Sequence, residues 1–186
     1  MSFFSDVERD LVVLARADVA DGVVALELGS HNGRDLPAWT PGSHVDVVLD
    51  DGRRDPSLRS ERQYSLCGDI GDRSRWRIAV LREDGGRGGS VRLHDEVAVG
   101  DRLRVRGPRN HFGFAPAPQR HYRFVAGGIG ITPLRAMVET AHEAGADWTL
   151  DYAGRSRSSM AFAHELADRF AARVRLHPAD EGARLD

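Results

Sequence analysis

The residues best suited to chemistry begin with a short predicted strand that carries Arg62, Tyr64 and Ser65. Side chains alternate between the two faces of a strand, so Arg62 and Tyr64 share one side. A guanidinium there is long enough to reach a phosphate, the tyrosine offers an aromatic wall, and the serine adds a small hydroxyl. The plainer alternative is that Tyr64 is a core side chain and Arg62 a surface charge.

A second candidate is the glycine-rich segment at residues 85–90, which contains Gly88, Gly89 and Ser90. If it opens a short helix, the glycines allow close approach of the backbone, and the free amide groups can hold a phosphate. Ser90 is then the predicted cap, and residues 91–94 supply one helical turn. A mobile hairpin is the alternative.

A third candidate is the glycine turn at residues 127–133, which follows an apolar run. It lacks the G-x-G-x-x-G spacing, but a strand, a glycine turn and a helix start still form a pyrophosphate-compatible geometry. Thr132 is the predicted helix N-cap, Pro133 the first helical residue and Gly145 the C-cap. Tight packing of strand against helix is the alternative.

The elements that must position these residues change character near residues 116–118. Before them, six short strands are separated by Gly, Pro and Asp, a pattern typical of a small antiparallel barrel or sandwich. They are predicted at residues 11–15, 23–28, 45–49, 64–67, 76–81 and 102–106. After them, strands at 122–126, 148–153 and 174–177 alternate with two helices, the second over residues 161–170. That alternation predicts right-handed crossovers and a parallel sheet.

The amino-acid composition argues against several classes of function. The 186 residues include 26 Lys and Arg against 28 Asp and Glu, a net charge of −2, which argues against an electrostatic grip on nucleic acid or on an anionic membrane. A single cysteine cannot form a disulfide within the chain, so the reducing cytoplasm is the expected location. No apolar run reaches about 18 residues, so no membrane span is expected, and no secretion signal is evident. The single cysteine, Cys67, is predicted to be packed and unreactive, and no metal site is predicted.

In this order the motifs resemble the ferredoxin–NADP reductase superfamily of flavoproteins. They are most similar to its phthalate dioxygenase reductase branch, which includes the vanillate demethylase reductases. The resemblance rests on residues 62–67, 87–90, 100–101, 108–112 and 125–133, and it covers nearly the whole chain.

The resemblance implies a six-stranded antiparallel flavin-binding barrel over residues 5–115 and a partial NAD(P)-binding α/β domain over residues 116–186. It favours FMN, with FAD possible, and NADH or NADPH as the reductant. Ser65 and Thr132 are the implied catalytic residues, acting as hydrogen-bonding and orienting groups, with Ser65 near the flavin N5 atom. Arg155 lies where the family meets the adenosine side of the nicotinamide cofactor. The full set of implied cofactor-binding residues is Arg62, Tyr64, Ser65, Ala79, Val80, Leu81, Arg87, Gly88, Gly89, Ser90, Gly127, Gly128, Ile129, Gly130, Thr132 and Arg155.

The implied activity is hydride transfer from NAD(P)H to the flavin, followed by single-electron steps to an iron–sulfur centre of an oxygenase or demethylase system. An oxygenase or ferredoxin is then the expected partner. Branch members carry a C-terminal [2Fe–2S] domain with four Cys ligands, whereas this chain has one Cys in all, so the cluster is expected only in a domain absent here. A three-stranded parallel sheet also suggests a truncated second domain. Two alternatives stay open, a stand-alone flavin reductase or flavin-binding module and a non-enzymatic ligand-binding barrel.

Overall fold

The computed structural model describes residues 7–50, 60–183 and 185. The start of the predicted first domain, at residues 5 and 6, lies outside the described residues. The strands are β1 Glu8–Ala20, β2 Val23–Ser30, β3 Ser43–Asp50, β4 Ser60–Ser65, β5 Arg75–Leu81, β6 Arg102–Asn110, β7 His121–Gly127, β8 Asp147–Gly154 and β9 Val174–Pro178. The α-helices are α1 Gly89–Asp95, α2 Ile131–Glu143 and α3 Ala163–Arg169.

The first six strands form one antiparallel sheet in the order β4-β3-β6-β1-β2-β5. Its two edge strands meet just beyond β4, where Leu66 bridges Ile78 and the Cys67 amide donates to the Arg77 carbonyl at 2.9 Å. The predicted six-stranded antiparallel architecture is therefore confirmed. Strand β1 is longer than its apolar run because it pairs with β6 at one end and with β2 along most of its length.

The interior of this barrel is filled by the inward side chains of all six strands. In β6, for example, Leu103 and Val105 are buried between arginines that reach toward solvent. This alternation buries apolar area on one face while the charged face stays hydrated. Trp76 and Leu26 are among the largest fully buried side chains of the interior.

The second sheet is parallel, with the order β7-β8-β9, as the alternation of strands and helices predicts. Trp148 and Tyr152 of β8 are fully buried, and they pack in one cluster with residues of α2 and α3. The alternate side chains of β7 turn the other way, and Val125 among them is 54% exposed. Both helices therefore cover the same face of this sheet.

Helix α2 lies between the two sheets. Ile131 and Val138 belong to the cluster built on the parallel sheet, whereas Ala136 belongs to the cluster inside the barrel. Almost every residue of the helix from Ile131 to Val138 is buried for this reason. The sequence predicts a single apolar face on this helix, and the second buried face follows from contact with the barrel.

Two predicted helix caps are wrong. The N-cap of α2 is Gly130, and Thr132 lies inside the first turn, where its hydroxyl donates to the Ile129 carbonyl at 3.0 Å. The N-cap of α1 is Gly88 at φ +77°, and Ser90 accepts a hydrogen bond from the Glu83 amide instead. In both cases the helix begins directly after a glycine of the preceding turn, one residue before the serine or threonine that was predicted to cap it.

Within the described ranges, no helix has both the length and the apolar character needed to cross a membrane.

We expect the Gly42→Ala variant to lose far more stability than the Gly22→Ala variant. Both glycines have positive φ, +87° and +69°, so each alanine costs about 1 kcal/mol or more of backbone strain. A Cβ on Gly42 would also lie 1.9 Å from the Phe112 carbonyl oxygen, whereas a Cβ on Gly22 meets open space. Urea denaturation should give a loss of about 1 kcal/mol for Gly22→Ala and roughly 3 kcal/mol or more for Gly42→Ala. Equal losses would contradict the clash.

Candidate functional site

A cavity of about 390 Å³ lies where β4, β5, α1 and the start of α2 meet. It has the size of a small-molecule site. Its walls come from all three segments that the sequence singles out. The lining residues are Arg62, Gln63, Tyr64, Ser65, Ala79, Leu81, Glu83, Gly86, Arg87, Gly89, Ser90, Ile129, Gly130, Thr132 and Pro133.

One end of the cavity is built from Arg62, Arg87 and the first turn of α1, with Glu83 beside that turn. Gly89 packs so tightly there that a Cβ would lie 2.6 Å from the Leu49 Cδ1 atom and 3.0 Å from the Arg62 Cγ atom. A Cβ at Gly89 would require the Leu49 and Arg62 side chains to shift, so glycine favours this close approach of the turn to β3 and β4. The first amide groups of a helix have no intrahelical partners, so this end suits an anion beside the two guanidinium groups.

The middle of the cavity is formed by Tyr64 and Ser65. Tyr64 is partly buried, and this burial raises the pKa of its phenol to about 12, against an opposing effect from Arg62. The hydroxyl therefore stays protonated at neutral pH, and the ring is a neutral aromatic wall. Ser65 ends strand β4 and contributes a hydroxyl group.

The far wall is the glycine turn between β7 and α2. Strand β7 ends at Gly127, a 3₁₀ turn spans Gly128–Gly130, and α2 begins at Ile131. Thr132 lies at this wall, and since its hydroxyl proton is engaged by Ile129, its oxygen is left to accept rather than donate. A Cβ added to Gly127, Gly128 or Gly130 would meet no atom within 4 Å, so these glycines border open space instead of a packed contact.

A smaller cavity of about 290 Å³ adjoins the first. The two share Gln63, Ser65 and Pro133, and the second is completed by Gly42, His44, His111 and Phe112. The rings of His44 and His111 are 5.4 Å apart. Burial lowers the pKa of His44, and the nearby Arg109 lowers it further, so its imidazole is neutral at pH 7. Ser65 therefore lines both cavities.

Eleven of the residues predicted for cofactor binding come together in the main cavity. They are Arg62, Tyr64, Ser65, Ala79, Leu81, Arg87, Gly89, Ser90, Ile129, Gly130 and Thr132. Five others are not part of its lining, and the reasons differ.

Val80 points into the barrel interior because it alternates with Ala79 and Leu81, and its carbonyl contacts the His94 ring at 2.9 Å. Gly88, Gly127 and Gly128 are neighbours of lining residues on the same turns. Arg155 is exposed and follows β8. Beside it, Arg157 forms a bidentate pair with Glu181, with distances of 2.6 and 3.0 Å.

Four lining residues were not predicted from the sequence. Gly86 belongs to the glycine-rich segment and Pro133 to the glycine turn, so the motifs that predicted their neighbours could have predicted these two residues as well. Glu83 follows β5, and its carboxylate lies near Tyr64, where it raises the tyrosine pKa slightly against Arg62. Gln63 alternates with Arg62 and Tyr64, and no residue pattern marks it.

Among the described residues, no group of three or more His, Cys, Asp or Glu side chains is arranged to hold a metal ion. The absence of a metal site from the chain stays a prediction.

No protein-family model matches the chain. The reductase subunit of tert-butanol monooxygenase / tert-amyl alcohol desaturase from Aquincola tertiaricarbonis is 44% identical over 146 residues, which are 78% of this chain and 41% of that protein. Vanillate O-demethylase oxidoreductase from Pseudomonas putida is 40% identical over 169 residues, 90% of this chain and 50% of that protein. The chain spans about half the length of the curated relatives it matches.

Solved structures give the same picture. Phthalate dioxygenase reductase, described as modular for electron transfer from pyridine nucleotides to [2Fe–2S], has a TM-score of 0.85 and 32% identity over 96% of this chain and 55% of its own. The chain is a homologue of these reductases and has the ferredoxin reductase fold. The resemblance inferred from the motifs is therefore confirmed.

Two further structures extend the comparison. An intact type IV self-sufficient cytochrome P450 monooxygenase has a TM-score of 0.88 and 47% identity, covering 96% of this chain and 22% of its own. The flavohem-like FAD/NAD-binding domain of a nitric oxide dioxygenase from Vibrio cholerae has a TM-score of 0.80 and 26% identity, covering 91% and 73%. The same fold thus occurs within a cytochrome P450 monooxygenase and within a nitric oxide dioxygenase.

We expect Cys67 to be unreactive in the folded protein. Its side chain is fully buried, and burial raises the pKa of the thiol to about 12, so about 10⁻⁴ of it is thiolate at pH 8. Iodoacetamide should alkylate the single thiol in denaturing urea and leave it intact in the native state, as mass spectrometry would show. A Cys67→Ala, Val99→Cys variant is the control, because Val99 is 60% exposed and its replacement should react at once. Rapid native labelling of Cys67 would contradict this packing.

Proposed function

We propose that this chain is the flavin-binding barrel and the beginning of the nicotinamide-nucleotide domain of an NAD(P)H-dependent reductase that serves an oxygenase or demethylase. The observation that carries the proposal is the convergence of three separate sequence segments on one cavity. Arg62, Tyr64 and Ser65 come from β4, Gly89 and Ser90 from α1, and Gly130 and Thr132 from the turn into α2. The domain limits 5–115 and 116–186 are part of the proposal.

The residues present fit a phosphorylated flavin, and FMN is the proposed cofactor. Arg62 and Arg87 lie at the end of the cavity beside α1, where Gly89 packs closely against the Leu49 and Arg62 side chains. A phosphate there receives charge-assisted hydrogen bonds. At the opposite wall, the open space beside Gly130 leaves room for a planar ring, and the turn at Gly127 and Gly128 is the proposed approach for the nicotinamide that must stack on it.

Each cavity residue then has a distinct role. Tyr64 packs its neutral ring against the flat face of the cofactor, since desolvation keeps its phenol protonated. Ser65 orients the ring edge through its hydroxyl, and the Thr132 oxygen accepts a hydrogen bond at the other wall. Ala79 and Leu81 exclude water from the apolar side. When bound, flavin takes up a hydride from a nicotinamide and returns the electrons one at a time.

The partners follow from the chemistry of the homologues. Relatives and structural neighbours are named as reductases of oxygenase systems, and one as an electron carrier to [2Fe–2S], so the proposed acceptor is an iron–sulfur centre of an oxygenase or ferredoxin. Arg155, after β8, is the proposed contact for the adenosine side of NADH or NADPH. The cytoplasmic location stays a prediction.

The experiment that tests the proposal is reconstitution with FMN and with riboflavin, which lacks the phosphate. We expect Arg62→Ala to raise the FMN dissociation constant about tenfold to a hundredfold, as the loss of a charge-assisted hydrogen bond predicts. The riboflavin dissociation constant should change little. Arg104→Ala is the matched control, because Arg104 pairs with Asp10 at 3.1 Å outside the cavity. Fluorescence quenching measures both constants, and absence of binding of FMN, FAD and riboflavin alike would refute the function.

We expect Ser65→Ala to slow flavin reduction more than it weakens flavin binding. Its hydroxyl orients the ring edge, whereas the phosphate and the aromatic face are held elsewhere. Stopped-flow bleaching of the flavin absorbance with excess NADH should slow about tenfold or more, with FMN affinity within about threefold. Ser60→Ala, at the start of the same strand and outside the cavity lining, is the control. Reduction of Ser65→Ala at the parent rate would exclude this role.

A further inference from the structure

Arg135 is a buried charge between the two sheets, and no motif of the sequence marks it. It lies in the middle of α2 and is 7% exposed. Removing a guanidinium from water is costly, and well-packed apolar residues often replace buried ion pairs without loss of stability. Stability alone is therefore a weak explanation for an arginine at this position.

The contacts of Arg135 join three elements. One terminal nitrogen donates to the backbone carbonyl of Cys67, and the other donates to Glu165 of α3. The same guanidinium lies 3.4 Å from Glu139, one turn further along α2. Burial disfavours its charge, but the two glutamates outweigh this and raise the pKa of Arg135, so it stays protonated.

An aromatic ring completes the arrangement. Phe162 lies under the Arg135 guanidinium at 5.3 Å and under that of Arg77 at 5.0 Å. Phe162 has φ +62°, a left-handed conformation that is strained for a non-glycine residue. The two cationic contacts hold this strained residue at the start of α3, so α3 is tied to the barrel through the same arginine.

The contacts of Arg135 lie next to two segments that line the cavity. Cys67 comes two residues after Ser65, and its segment is already fixed on the barrel side, since the Leu66 amide donates to Ser43 and the Cys67 amide to Arg77. Arg135 comes three residues after Thr132, so the two share one face of α2. The bond from Arg135 to Cys67 thus connects the strand that bears Ser65 with the helix that bears Thr132.

We propose that Arg135 is a positioning residue of the cofactor site, which sets the separation of the Ser65 strand from the Thr132 helix across the cavity. This inference rests on the proposed function, because the cavity it shapes is the proposed flavin site. Only an arginine supplies two directed terminal nitrogens that reach a carbonyl and a carboxylate at once. A lysine keeps the charge and one of the two contacts.

The test compares Arg135→Met and Arg135→Lys with Arg169→Met. Arg169 is a close match, because it contacts the same Glu139 at 3.2 Å and lies 5.0 Å from the Phe170 ring, but its side chain is half exposed and contacts no cavity strand. The first measurement is amide hydrogen exchange of the flavin-free protein. We expect Arg135→Met to raise exchange about tenfold in residues 60–67 and 127–134, with about twofold or less elsewhere in the barrel.

The second measurement is the FMN dissociation constant. We expect a rise of about tenfold for Arg135→Met, a smaller rise for Arg135→Lys and about no change for Arg169→Met. If Arg135→Met does not fold, Glu165→Gln replaces it, since that variant removes one charge and leaves the Cys67 contact. It should shift both readouts in the same direction by about twofold to fivefold.

Two results would overturn the inference. One is a lower melting temperature for Arg135→Met with uniform exchange across the chain and unchanged FMN affinity, which describes an arginine that only stabilises. The other is an equal effect of Arg169→Met on both readouts. Failure of the unmodified protein to bind FMN would refute the proposed function instead, and the exchange measurement would still decide the role of Arg135.

Discussion

Helix α2 has the antiparallel barrel on one side and the parallel sheet on the other, and the rest of the structure depends on this double burial. Its apolar residues fill both cores, as Ala136 in the barrel cluster and Val138 in the sheet cluster illustrate. Because the helix cannot rotate or slide without opening one of the two cores, its first turn has a fixed place. That turn carries Thr132 and forms one wall of the cavity.

The glycines around the cavity have two different structural effects. At Gly89 the backbone of α1 packs so closely that a Cβ would displace the Leu49 and Arg62 side chains, whereas at Gly127 and Gly130 a Cβ would enter open space. Gly89 therefore permits close contact between protein segments, whereas Gly130, which lines the cavity, borders open space. The two glycine segments look alike in sequence, but one allows close packing and the other leaves space unfilled.

Much of this organisation could be predicted from residue patterns, because it depends on local periodicity. The six antiparallel strands and the three parallel ones follow from alternation, turn residues and apolar runs. Nine of the predicted cavity residues lie in the three segments whose residue types suggest their chemistry, whereas Ala79 and Leu81 were implied by the family resemblance. The predicted caps at Thr132 and Ser90 were wrong because each helix begins directly after a glycine, which places the hydroxyl residue inside the first turn. Gln63 was not predicted because the residue types that suggest phosphate and aromatic contacts are those of its neighbours Arg62 and Tyr64.

The sequence by itself determined the fold class, the resemblance to the reductases and the segments that line the cavity, since the fold class follows from local patterns and the resemblance from the order of motifs. Only the tertiary structure decided which atoms meet. It turned Val80 into the barrel, left Arg155 at the surface after β8, and buried Arg135 against a carbonyl that lies 68 positions away along the chain. A contact between residues so far apart leaves no periodic trace in the chain, because it depends on how two sheets dock on one helix.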